Sequence, residues 1–185
     1  MGRTLWFLID TLGSLLAVAC LLRAYMQWLG VALRDPIGQF TIAITDWIVK
    51  PLRRIVPASR HYDWASLLAA VVVACLMAML FVFLSGLRQA PMFGLVVLTA
   101  VYWLLKWSLW MMIVIVIAQA VLSWVNPYAP IAPTLEALSR PFLAPLRRVI
   151  PLVGGIDLSP LALILVLQLL LVFLQNMVAG YVLVH

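Results

Sequence analysis

Charged side chains are scarce in this sequence of 185 residues, making up only 10% of it. A soluble domain keeps about a quarter of its residues charged. This chain therefore lacks the polar material to cover a globule in water, and its main solvent is expected to be lipid. Acids are the rarest class, six against twelve Lys and Arg, for a net charge of +6. In so apolar a chain that excess reads first as a topology signal and as attraction to anionic lipid. The basic residues form no long run, so direct binding of nucleic acid is not expected. There are only two cysteines, Cys20 and Cys75. Each stands inside an apolar segment with no second ligand near it, which argues against zinc and disulfide and for buried, inert thiols. There are two histidines, His61 and His185, and no HExxH, GxSxG or phosphate-loop motif. No catalytic constellation can be assembled from what remains. The expectation is a protein that is not an enzyme and holds no metal or cofactor.

What is abundant is apolar sequence. Hydrophobic residues make up 66% of the chain, with a mean hydropathy of +1.16. Runs long enough to cross a bilayer, which takes about 20 residues, lie at about 5–29, 64–84, 95–125 and 158–183. Leu16–Cys20, "LAVAC", has a faint likeness to a lipoprotein cleavage box. Asp10 interrupts the apolar run before it and the run continues to Leu22, so an uncleaved membrane helix is the better reading. The third run stays apolar from Pro91 to Val125 except for Lys106. That length fits a tilted or extended helix, or a short helix followed by the span proper.

The chain repeats itself. Pro51–Pro57 reads "PLRRIVP" and Pro145–Pro151 reads "PLRRVIP", 94 residues apart, and Asp63 and Asp157 share that offset. Trp28 and Trp124 are offset by 96, and Asp35–Pro36 is matched to Asn126–Pro127. Two units of helix, linker and helix follow, residues 1–90 and 91–185, with linkers at 34–63 and 126–157. Two spans per unit give both units the same orientation, and a pseudo-twofold axis along the membrane normal is the simplest relation between them. The expected fold class is an all-α membrane protein with four transmembrane helices. The linkers carry Arg34, Lys50, Arg53, Arg54, Arg60, Arg140, Arg147 and Arg148; the other side offers Arg3, Arg88 and at most Lys106. The positive-inside rule then places both linkers in the cytoplasm and both termini outside it.

Each linker carries an apolar stripe. Ile37, Phe40, Ile44, Trp47 and Ile48 share one side of a helical wheel, opposite Gln39, Asp46 and Lys50. Ile131, Leu135, Leu138 and Phe142 do the same opposite Glu136 and Arg140. Such a helix lies in the headgroup plane or packs on the protein's own spans. Pro51 and Pro145 suit the first turn of a fresh short helix, from which Arg53, Arg54, Arg147 and Arg148 would point outward. These four are candidate ligands for anionic headgroups or a partner protein. Duplication and topology alone would also account for them. Asp63 and Asp157 each precede a span and read as helix N-caps.

Within the spans polar groups are few. Arg23 lies close enough to Trp28 to snorkel to the cytoplasmic face. Asp10 and Lys106 occupy equivalent positions with opposite charge and form a possible ion pair between the units. Gln119, Gln168 and Gln175 suit interhelical hydrogen bonds. Ser66, Ala70, Ala74 and Ala78, at steps of four, mark a face another helix can approach closely. Trp28, Trp64 and Trp124 sit where an aromatic belt would lie.

Ser123–Pro130 ("SWVNPYAP"), Arg140–Pro151 ("RPFLAPLRRVIP") and Gly154–Gln168 ("GGIDLSPLALILVLQ") resemble the YggT family of small integral membrane proteins, and the likeness extends over the whole chain as two tandem units. The first unit departs from the pattern, with "ASRHYDWAS" where the second has the Gly-Gly-Ile-Asp-Leu-Ser-Pro run. The resemblance implies a bacterial inner-membrane protein acting through lipid or other proteins, in roles tied to the envelope, cell division or osmotic adaptation. It names no reaction. Two functions are open: a scaffold or assembly factor whose basic linkers dock anionic lipid or a membrane or cytoplasmic partner, or a small ion or solute channel at the interface of the repeats or of a homo-oligomer.

Overall fold

The computed structural model describes residues 2–54, 56, 62–84, 92–150 and 157–184. They form six helices: α1 (Gly2–Trp28), α2 (Pro36–Leu52), α3 (Trp64–Leu84), α4 (Met92–Val125), α5 (Ala132–Val149) and α6 (Ser159–Val184). Four of them, α1, α3, α4 and α6, are long and apolar enough to cross a membrane. The protein is an all-α membrane protein in which the order span, linker helix, span occurs twice. The third run is one continuous helix of 34 residues, which leaves no room for a fifth crossing. Pro57, Arg60, His61, Arg88, Pro151 and the glycine pair at 154–155 lie outside the described residues.

The small-residue face of α3 is buried as its spacing predicts: Ser66, Ala70, Ala74 and Ala78 are each fully inaccessible. A parallel stripe, Ala65, Ala69, Val73 and Met77, is buried too. With two buried stripes α3 packs against both α1 and α4. Small side chains let the backbones approach, so dispersion replaces the hydrophobic drive that lipid cannot supply. In the second unit α6 buries Ser159, Leu163, Leu167 and Leu171, the equivalents of Ala65, Ala69, Val73 and Met77, and the three leucines pack against Met112, Ile113 and Val116 of α4. Of the equivalents of the Ser66 stripe, Pro160 is the one that is buried.

That difference corrects the expected symmetry. A twofold axis would place α6 on α1 as α3 lies on α4, yet among the described residues α6 packs chiefly on α4 and α5. The reason is in the side chains. Where α3 has Ala70, Ala74 and Ala78, α6 has Ile164, Gln168 and Val172, too bulky for the same close approach.

The linker helices return against their own units, α2 on α1 and α3, α5 on α4 and α6. The face of α2 that packs is Gly38, Thr41, Thr45 and Val49, not the center of the apolar stripe. Thr41 and Thr45 hide their hydroxyls by donating to the carbonyls of Ile37 and Thr41, both at 2.7 Å. Phe40 and Trp47 stay exposed at 67% and 66%. So α2 packs on the spans with one side and leaves an aromatic edge exposed on the other. The Asp-Pro and Asn-Pro pairs are not equivalent: Asp35 caps α2 by accepting from the Gly38 amide at 3.0 Å, whereas the Asn126 amide closes the end of α4 by donating to the Leu122 carbonyl. Nor do Pro51 and Pro145 open fresh turns. Pro51 sits in the last turn of α2 and Pro145 inside α5. The hydrogen bond lost at Pro145 is tolerated because Leu138 and Leu143, both fully buried, hold α5 to the bundle.

Candidate functional site

Arg23 does not snorkel. It is 3% exposed and forms the center of a polar cluster where α1, α2 and the start of α3 meet. One terminal nitrogen donates to Thr45 Oγ1 at 2.8 Å and to Asp46 Oδ1 at 2.9 Å, and Nε lies 3.5 Å from Asp63 Oδ2. Asp63, 2% exposed, also accepts from Arg53 at 2.7 Å, from the Ser66 hydroxyl at 2.7 Å and from the Ser66 amide at 3.2 Å. Lys50 closes the outer edge on Asp46 at 2.8 Å. Burial opposes the charged form of Asp63, but the Ser66 and Arg53 donors outweigh it and hold its carboxyl below the usual range. For Asp46 the Lys50 hydrogen bond is the main cause of a lowered pKa, with Arg23 adding to it against partial burial.

The second unit carries only part of this cluster. Arg147 Nε donates to Asp157 Oδ2 at 2.8 Å, and Asp157 Oδ1 accepts from the Ser159 amide at 2.9 Å. Desolvation pushes the Asp157 pKa up, and the Ser159 and Arg147 donors more than reverse it. Gln119 stands where Arg23 stands in the first unit and Arg140 where Asp46 stands. Gln119 is buried, and its Oε1 has no hydrogen-bond partner among the described residues. A small cavity of about 170 Å³ opens there, lined by Gln119, Ser123, Glu136 and Arg147.

The duplicated arginine pairs thus divide in two. The first of each pair, Arg53 or Arg147, is held by the aspartate ten residues on. The second, Arg54 or Arg148, is exposed and joins no ion pair among the described residues. Both aspartates accept backbone amides at the start of their spans, so each caps a helix and anchors an arginine together. The expected Asp10–Lys106 pair is not among the ion pairs of the described residues. One turn away the boundary between α1 and α4 is filled by Trp6 and Trp103, with ring centers 6.5 Å apart, and Lys106 Nζ lies 6.0 Å from the Tyr102 ring center. Tyr25 adds a link between the units with no local signature in the sequence, donating to the Leu138 carbonyl at 2.6 Å. No group of His, Cys, Asp and Glu suited to a metal ion occurs among the described residues.

The CCB3/YggT family model matches residues 2–84 and 98–178, one helix–linker–helix unit in each segment. The chain belongs to the CCB3/YggT family. It is 37% identical over 170 residues to YggT of Escherichia coli K12, covering 91% of this chain and 87% of that one. A Pseudomonas aeruginosa protein is 32% identical over 182 residues, 94% and 89% of the two chains. A protein encoded in the proC 3′ region of Vibrio alginolyticus is 31% identical over 163 residues, 88% of each. No solved structure matches. In this CCB3/YggT chain each matched segment holds one bracket, Arg53–Asp63 or Arg147–Asp157.

Proposed function

We propose that the protein is a non-catalytic scaffold of the bacterial plasma membrane, with both linkers on the cytoplasmic side and Arg54 and Arg148 docking anionic headgroups. One observation carries this reading. In both units the first arginine is paired with a capping aspartate, which leaves the exposed second one free to meet a headgroup. A cation held at the leaflet surface contributes about 1 kcal/mol of attraction to anionic lipid. The aromatic edge of α2, Phe40 and Trp47, would enter the same interface. The excess of Lys and Arg in the linkers supports their cytoplasmic side.

Native mass spectrometry of the detergent-purified protein with added phosphatidylglycerol tests this. Arg54→Gln and Arg148→Gln should each weaken lipid retention about fivefold and leave the unfolding transition unchanged. Unaltered retention in the double variant would remove the lipid reading. If retention is unaltered but a protein crosslinked near Arg54 in native membranes is lost, the arginines serve a protein partner.

A further inference from the structure

Three polar side chains of α6 face outward in its apolar surroundings: Gln168, Gln175 and Asn176 are exposed, and none makes a hydrogen bond among the described residues. Amides in a lipid-facing stripe are costly unless another helix supplies partners. The duplication shows which helix. At the 94-residue offset these positions correspond to Ala74, Phe81 and Val82 of α3. Ala74 is fully buried and Val82 is 2% exposed, while the Phe81 ring stands at the seam of both units, 5.6 Å from that of Trp6 on α1 and 5.7 Å from that of Trp103 on α4. The stripe Ala65, Ala69, Val73 and Met77 is the one whose α6 equivalent packs within its own unit, on Met112, Ile113 and Val116. The stripe Ser66, Ala70, Ala74 and Ala78 is therefore the surface by which one unit takes hold of the next, and of its α6 equivalents Gln168 and Val172 stay exposed.

The complementary surface is unfilled as well. The side of α4 toward the first unit carries Ala100, Trp103, Trp107 and Met111, of which Ala100, Trp107 and Met111 are buried. The α1 equivalents, 96 residues earlier, are Thr4, Phe7, Thr11 and Leu15. Phe7 and Leu15 are 66% and 61% exposed. One chain thus uses the α3–α4 contact once and leaves both of its halves free, on α6 and on α1.

We infer that a second copy of this chain completes the set: α6 of each copy packs on α1 of the other, in a more widely spaced counterpart of the α3–α4 contact, because Ile164, Gln168 and Val172 stand where α3 has alanines. The contact is head-to-tail, and two chains that make it twice form the smallest closed ring that uses both free halves. Gln168, Gln175 and Asn176 are then covered by the partner's α1, and Gln175 lies against Phe7 of the other copy, as Phe81 lies against Trp103 within one chain.

Single-cysteine chains test this in native membranes. With Cys20 and Cys75 replaced by alanine, differently tagged Phe7→Cys and Gln175→Cys chains are expressed together and treated with a short bismaleimide. The expected product is a band at twice the 20.6 kDa chain mass carrying both tags. Its yield should exceed by at least about tenfold that of Phe7→Cys with Met79→Cys, because adjacent thiols see a far higher effective concentration. Met79 lies on the outer side of α3 and is 64% exposed. Crosslinking of Gln175→Cys only with itself would overturn the inference in favor of two α6 helices facing each other. A mixed-tag yield no higher than the Met79 control, from protein whose circular dichroism is unchanged, would overturn it in favor of a monomer.

Discussion

Replacing Asp63 by alanine removes the acceptor that joins three elements. Arg23 would keep Thr45 and Asp46, but its Nε side would face a buried void, and Arg53 and Ser66 would lose their shared partner. Breaking a buried pair by deleting one member costs about 3–5 kcal/mol, because the remaining charge stays desolvated. Arg23→Gln should cost less, about 1.5–3 kcal/mol, the range for hydrogen bonds to charged groups. After that change Asp46 still has Lys50, and Asp63 still has Arg53 and Ser66. The ordering is therefore the sharper prediction: Asp63→Ala destabilizes more than Arg23→Gln. Unfolding by sodium dodecyl sulfate in mixed micelles, followed through the eight tryptophans, measures both. A loss below about 1 kcal/mol for Asp63→Ala, typical of an exposed pair, would refute the reasoning, as would the reverse order.

The pH dependence follows from three carboxylates, Asp46, Asp63 and Asp157, each held below the ordinary value of 3.8. Their stabilization is complete above that value and lost as pH falls through the lowered ones, so micellar unfolding from about pH 6 to about pH 3 should show a decline that Asp63→Asn reduces. Gly38→Ala should cost about 1–3 kcal/mol, since its Cβ would meet the Leu33 backbone at 2.6 Å; a thermal melt matching wild type would contradict this. Gln119→Arg alone should destabilize the second unit, because Arg140 stands where the first unit has an acid. Gln119→Arg with Arg140→Asp rebuilds the charged positions of the first cluster except Lys50, whose equivalent is Ala144, and should recover at least wild-type resistance to dodecyl sulfate.

Composition and periodicity made the membrane class, the four spans and the duplication legible, because lipid allows few alternatives to a long apolar helix. The alanine face of α3 was legible for the same reason, since small residues at steps of four have one main use in lipid. Arg23 was misread. Its distance from Trp28 along the sequence says how far it is from the helix end, not that α2 folds back and brings Asp46 beside it. The prolines misled likewise. Pro145 would break an isolated helix, and only the burial of Leu138 and Leu143, a tertiary fact, keeps α5 whole. The Arg-Pro motif was visible as a repeat, but the division of labor within each pair depends on an aspartate ten residues away and had no local signal.

The two units put the same motif to different mechanical use. In the first, Arg23 fastens α1 to both α2 and the start of α3, so the linker cannot shift without breaking a desolvated charge cluster. In the second, Gln119 makes no such fastening and Arg147 is bound to Asp157 at a half-exposed surface, where an ion pair contributes little. Linker α5 is thus held mainly by apolar contacts through Leu135, Leu138 and Leu143, which resist separation but tolerate sliding better than directed hydrogen bonds do. A protein docking through both linkers would then present one fixed cation, on the Arg53–Asp63 bracket, and one able to adjust its position, on the Arg147–Asp157 bracket. The cavity beside Gln119 gives that adjustment room on the second side, while the first has its equivalent space filled by a guanidinium.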